Sequence, residues 1–171
     1  MSYEGQYHPL LVTASIGAPV NPVLGPITIP GLPQGFSFPL VIPGRAADGF
    51  FTKTATVDTV SMVAGAEGNV QHIFSHDESG TVNVTVNHRT LACRALSILF
   101  AAQKLIGQGQ LPRFTFPVTL TDANCTPPEV HEAFNCLIMR NPDVTWGASL
   151  GTITWAFASP TIISNMSSTG F

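Results

Sequence analysis

Residues Phe50–Gly107 read FFTKTATVDTVSMVAGAEGNVQHIFSHDESGTVNVTVNHRTLACRALSILFAAQKLIG, and this stretch decides the fold. Its clearest piece is Thr81–Asn87, TVNVTVN. Val82, Val84 and Val86 fall on one face, and Thr81, Asn83, Thr85 and Asn87 on the other. Strict period 2 in β-prone residues is the pattern of a half-buried strand. The polar face holds only amides and hydroxyls, so it suits water or another subunit. Upstream, Phe51–Val63 is β-prone, with a phase change near Asp58 that fits a bulge or bend. Gly65-Ala-Glu-Gly68 is turn chemistry, Val70–Ser75 returns as a strand, and Asp77-Glu-Ser-Gly80 turns again. The expectation is a three-strand antiparallel meander.

Downstream, Thr90 is placed to cap a helix over Leu91–Ile106, and Gly107 stops it. Leu91, Ala95, Ile98 or Leu99, Ala102 and Ile106 mark its apolar face, with Arg94, Ser97, Ala101 and Lys104 opposite. Phe114, Phe116, Val118 and Leu120 alternate with polar residues as a strand, which Pro117 demotes to an edge or a bulge. Val130–Arg140 reads as a strand with Phe134, Cys136 and Ile138 inward; a short helix over Pro128–Asn135 competes. Thr152–Ser159 alternates cleanly, with Ile153, Trp155 and Phe157 on one face. The fold expected is mainly β: an antiparallel sandwich or half-barrel covered by one helix.

Residues 1–49 differ in kind. Eight of the fourteen prolines fall between Pro9 and Pro43. Proline removes a ladder donor, so only short strands are expected there, at Leu10–Ile16 and Phe38–Ile42. Yet the segment is apolar, with Val23, Ile27, Ile29, Leu32 and Phe36 among its residues. That composition suits an arm lying on a neighbouring subunit; the plainer reading packs it on its own domain. The expected division is a Pro-rich arm over 1–49, a β domain with its helix over 50–165, and a polar tail over 166–171.

Charged residues make up 10 % of 171 positions and hydrophobic residues 44 %. Typical domains carry about 25 % charge, so either much of this surface is covered by something else in a permanent assembly, or the chain is a secreted, Thr/Asn-rich β domain. Net charge is −3, and the seven basic residues, from Arg45 to Arg140, are scattered. That excludes tight nucleic-acid binding through phosphate neutralisation. No run of about 18 apolar residues marks a membrane-spanning helix, and the first twenty residues do not read as a signal peptide. The three cysteines, Cys93, Cys125 and Cys136, are an odd count and read as reduced thiols. Cys125, in the loop Asp122–Pro128, is the candidate for a thiol shared between subunits.

Chemistry-bearing motifs are few. His72, His76, Asp77 and Glu78 are the densest polar cluster. On one strand His72 and His76 would stand about 13 Å apart, too far for one ion. His88 and His131 are isolated. No GxSxG, Walker, HExxH or GxGxxG pattern occurs. No catalytic residue, metal site or cofactor is expected, and the chain is not read as an enzyme.

SHDESGTVNVTVNHRTLACRALSILFAA, Ser75–Ala102, resembles the core of bacteriophage tail tube proteins, in particular the tube subunits of contractile-tailed phages. The resemblance implies hexameric rings, with strands closing into a β-barrel lumen. The rings stack into a conduit through which DNA passes into the host. It implies contacts with copies of itself, sheath, baseplate and tail terminator, location in the virion tail, and assembly in the host cytoplasm. Thr81, Asn83, Thr85 and Asn87 are then the candidate lumen or assembly face, and Val23, Ile27, Ile29, Leu32 and Phe36 the candidate inter-subunit arm. Two other readings compete: a secretion-system tube protein, and a β-sandwich carbohydrate-binding or adhesion module. The latter would want exposed aromatics. Trp146 and Trp155 are the two tryptophans, and alternation turns Trp155 inward.

Overall fold

The alternation in Thr81–Asn87 becomes a central strand, and the other elements are placed around it. The computed structural model describes residues 11–33, 36–43, 50–65, 69–124, 126–144 and 151–165. Its strands are β1 (Val12–Ile16), β2 (Val20–Asn21), β3 (Gly25–Pro26), β4 (Leu40–Pro43), β5 (Phe51–Ala55), β6 (Val60–Ala64), β7 (Val70–Phe74) and β8 (Gly80–Asn87). After helix α1 (Leu91–Gly107) come β9 (Phe116–Asp122), β10 (Glu129–Ile138), β11 (Thr152–Ser159) and β12 (Thr161–Asn165). The main sheet runs β4-β1-β9-β10-β11-β8-β5, with β12 also on β10, and every pairing is antiparallel. Within one chain this sheet stays open, with β4 and β5 at its edges.

β10 is the bend that turns one sheet into two layers. Its first half lies between β9 and β12, and its second half pairs with β11. The register with β9 slips between Ala133 and Cys136, where Asn135 has φ of 53°. Asparagine tolerates that left-handed conformation better than most residues. The slip reverses the expected phase only before it, at Phe134, and leaves Cys136 and Ile138 inward as expected. Ala133, Cys136 and Ile138 point inward, whereas Phe134 is displaced outward to 36 % exposure. Residues 129–134 belong to the strand, so the competing helix does not form. Pro117 lies across from this bulge, on a strand between β1 and β10 rather than at an edge. Its missing donor is tolerated because the ladder is already interrupted there.

The meander is also revised. β5 pairs with β8, and among the described residues β6 pairs only with β7. The predicted run Phe51–Val63 breaks between Ala55 and Val60, so the arrangement is a hairpin extended from a hairpin. β12 is unexpected. It continues the pairing of β11 with β10 in one register (Leu137↔Ala158, then Phe134↔Thr161), interrupted at Pro160.

α1 starts as expected. Thr90 is extended, and its hydroxyl accepts from the Cys93 N–H at 3.3 Å. Cys93, Ala95, Leu96, Leu99 and Ala102 are its buried residues. Leu91 is 52 % exposed, because the inward stripe begins at Cys93. Gln103 clamps the helix to the sheet: its amide donates to the Ile138 carbonyl at 2.8 Å and accepts from the Ile138 N–H at 3.0 Å. Between the layers lie Val82, Val84 and Val86 of β8, and Ile153, Trp155 and Phe157 of β11. Phe116 meets Phe157 edge to face at 5.9 Å. Ala14, Ile16, Leu40 and Ile42 join the same core, so β1 and β4 are integral strands of this sheet.

Candidate assembly surfaces

Residues directly opposite on paired strands share a face. Opposite the core, β8 presents Thr81, Asn83, Thr85 and Asn87, all half-buried. Thr54 and Thr52 of β5 stand beside Thr81 and Asn83, and Thr154 and Thr152 of β11 beside Thr85 and Asn87. The Thr85 and Thr154 hydroxyls bond each other at 3.0 Å. No Asp, Glu, Lys or Arg stands on this face of β5, β8 and β11. Alternation in the sequence finds the four residues of β8. It misses Thr52, Thr54, Thr152 and Thr154, because only the pairing register places them on the same wall.

Lys53 is on the core side of β5, paired with Val82, but that strand is an edge. Its long stem carries the ammonium out over β12, where it donates to the Ser164 hydroxyl and reaches His131 Nδ1 at 3.2 Å. His131 Nε2 lies 2.9 Å from Glu129 Oε1. A neutral ring accepting at Nδ1 and donating from Nε2 satisfies both neighbours. The arrangement ties β5 to β12 and β10. It is a brace, with no adjacent nucleophile.

Another surface is the β6–β7 hairpin. All ten strand residues are exposed. Register puts Val60, Phe74, Met62, His72, Ala64 and Val70 on one side. Met62 is 71 % exposed and Phe74 68 %. Isolated two-stranded hairpins are marginal in water, and contiguous apolar patches mark interaction sites. His72 therefore stands on a hydrophobic face. Asp77 lies in the turn after β7, where its carboxylate accepts from the Ser79 N–H at 2.9 Å. The hydrogen bonds from Ser79 hold its pKa below the ordinary carboxylate value. Among the described residues, no three His, Cys, Asp or Glu side chains are grouped to hold a metal ion.

The arm candidates separate. Val23 is 88 % exposed at the turn between β2 and β3. Ile29 is buried, and Ile27, Leu32 and Phe36 pack partly buried against the chain's own core. Cys125 lies outside the described residues. Cys93 and Cys136 are free and buried. Burial pushes the Cys136 thiol up to about 11, against smaller opposing hydrogen bonds from Ser159 and the Val118 backbone. Burial also raises the Cys93 thiol, while the Trp155 indole N–H pulls it down. That N–H is buried and has no partner of good hydrogen-bond geometry, which fits a weak sulfur acceptor.

The fold is similar to that of the tube-terminating cap of the anti-feeding prophage, with 7 % identity and a TM-score of 0.50 over 98 % of this chain and 95 % of that chain. A chain of the sheath–tube complex of the extracellular contractile injection system PVC, in its extended state, aligns at 9 % identity and TM-score 0.48, covering 95 % of this chain and 93 % of that one. A chain of the anti-feeding prophage baseplate aligns at 13 % and 0.47, covering 96 % and 97 %. No protein-family model and no curated protein matches the sequence.

Proposed function

We propose that this chain is a structural subunit of a phage-type tail or contractile-injection tube, assembling side by side into hexameric rings that stack around a lumen. The observation that carries the reading is the uncharged Thr/Asn wall of β5, β8 and β11. In a ring, that wall faces the lumen. Capture of phosphate needs clustered Lys or Arg, and a neutral amide-hydroxyl surface lets a polyanion slide without holding it. The open β4 and β5 edges support the same reading, since ring closure pairs or covers edges that would otherwise invite uncontrolled association. The fold shared with a tube-terminating cap over nearly all of both chains adds to it. Sheath, baseplate and terminator proteins are the partners this role requires. The exposed β2–β3 tip at Val23 and Leu24 is one part of the proline-rich segment free to meet them.

The test is the state of the purified full chain, by native mass measurement and negative-stain microscopy. Rings with a central hole, or tubes, are the expected result. A stable 18.1 kDa monomer at micromolar concentration overturns the proposal.

A further inference from the structure

The two ends of β8 carry opposite charge. Just before Gly80, at the base of the β6–β7 hairpin, Asp58, Asp77 and Glu78 are exposed. Asp77 and Glu78 line a groove of about 210 Å³ that Lys53 only partly offsets, since its ammonium is turned to Ser164 and His131. Just past Asn87, Arg89 and Arg94 line a groove of about 470 Å³ with His88, Thr90, Leu91, Cys93 and Ser97, and none of the described residues that line it is acidic. Eight residues of strand separate the two ends by about 25 Å. Among the described residues no ion pair joins Asp58, Asp77, Glu78, Arg89 or Arg94 to a group of opposite charge. Beside the acidic end stands the hairpin whose apolar face nothing among the described residues covers.

We infer that a second copy of this chain docks head to tail, placing the acidic base of its β6–β7 hairpin over the Arg89–Arg94 groove of the first. The inference rests on the tube-subunit reading and names the surfaces through which one ring stacks on the next. A head-to-tail contact between two different patches need not close on itself; with the patches at opposite ends of β8 it propagates along that strand's direction, as a stack requires. The hairpin's apolar face gains cover in the same event, and the opposed charges select polarity and register. Exposed pairs are individually weak and screened by salt, so the stack draws its strength from repetition around the ring.

The experiment compares full-length variants by sedimentation and negative-stain microscopy. Arg89→Glu with Arg94→Glu, and separately Asp77→Lys with Glu78→Lys, should leave rings intact and cut pelletable tubes about tenfold. Combining all four changes on one chain should restore them. Arg89→Asn is the folding control. Arg89 has φ of 68°, a conformation asparagine tolerates better, so melting temperature should hold or rise while tube yield falls. If the reversed variants form tubes like the unaltered chain, or the fourfold variant fails to recover, the docking is wrong while the tube reading stands. If the unaltered chain forms neither rings nor tubes, both fall.

Discussion

Gly80→Ala is the sharpest probe of how β8 is held. Gly80 opens β8 between Ala55 of β5 and Ser159 of β11. A Cβ there would lie 2.5 Å from the Thr54 carbonyl oxygen and 2.7 Å from Ile162 Cδ1. Ordinary contact begins at 3.4 Å, so the two strands must part by about 1 Å. The first obstacle is backbone, which cannot rotate away as a side chain can. Overpacking of this kind costs about 1–3 kcal/mol, and the alanine recovers about 0.4–1 kcal/mol by restricting the unfolded chain. The net expectation is a loss of about 1–2 kcal/mol, lowering Tm by about 2–8 °C for a chain of this size. Thermal and urea unfolding of both proteins measure it. Gly107→Ala is the matched control. Nothing lies within 4 Å of its added Cβ, and helical alanine is favoured by about 0.5–1 kcal/mol, so Tm should rise. A Gly80→Ala protein melting at or above the parent would refute the argument.

Gln103→Leu removes both hydrogen bonds to Ile138 and should cost about 1–3 kcal/mol in urea unfolding, with far-ultraviolet circular dichroism unchanged. Thr90→Ala should cost about 1 kcal/mol through the lost helix cap, whereas Thr90→Ser should recover most of it. Cys136 gives a pH signature. Its folded pKa of about 11 exceeds the ordinary thiol value of 9.0, so its contribution is complete below pH 9 and is lost as pH rises towards 11. The parent should therefore lose about 2–3 kcal/mol more than Cys136→Ala across that window, as melts from pH 8 to 11.5 would show. Equal losses would mean that the thiol ionises freely in the fold.

The parts legible in the sequence are those whose period is local. Val82, Val84 and Val86 alternate within one strand, and Trp155 between Ile153 and Phe157 does the same, so both inward faces are readable. α1 and its N-cap are readable because Thr90 opens a 3.6-residue stripe; the expected stop at Gly107 falls one residue short, since Gly107 is still helical and Gln108 is the C-cap. Pairing is not. β6 looks like a continuation of β5, and only the break between Ala55 and Val60 sends it to β7 instead. Alternation places Phe134 inward, which the slip at Asn135 reverses. β12 is hidden by Pro160, which reads as a terminator but interrupts a register that resumes beyond it. The uncharged wall depends on three strands distant in sequence, so only its β8 share is visible. The opposite charges at the ends of β8 are in plain view at Asp77, Glu78, Arg89 and Arg94, but the distance between them has meaning only once the eight-residue strand and its pairing are known.

The position of β11 also has a bearing on timing. β8 is synthesised before the helix, yet its neighbour on one side, β11, begins about 65 residues after β8 ends. Until the ribosome has released Thr152–Ser159, one edge of β8 is bare and the two layers are not joined. A nascent chain therefore lacks a finished surface to offer its neighbours. Long-range pairing is slow to form, and on the proposed tube-subunit reading that slowness would work as a delay: a chain truncated before β11 lacks the finished sheet that ring assembly would need.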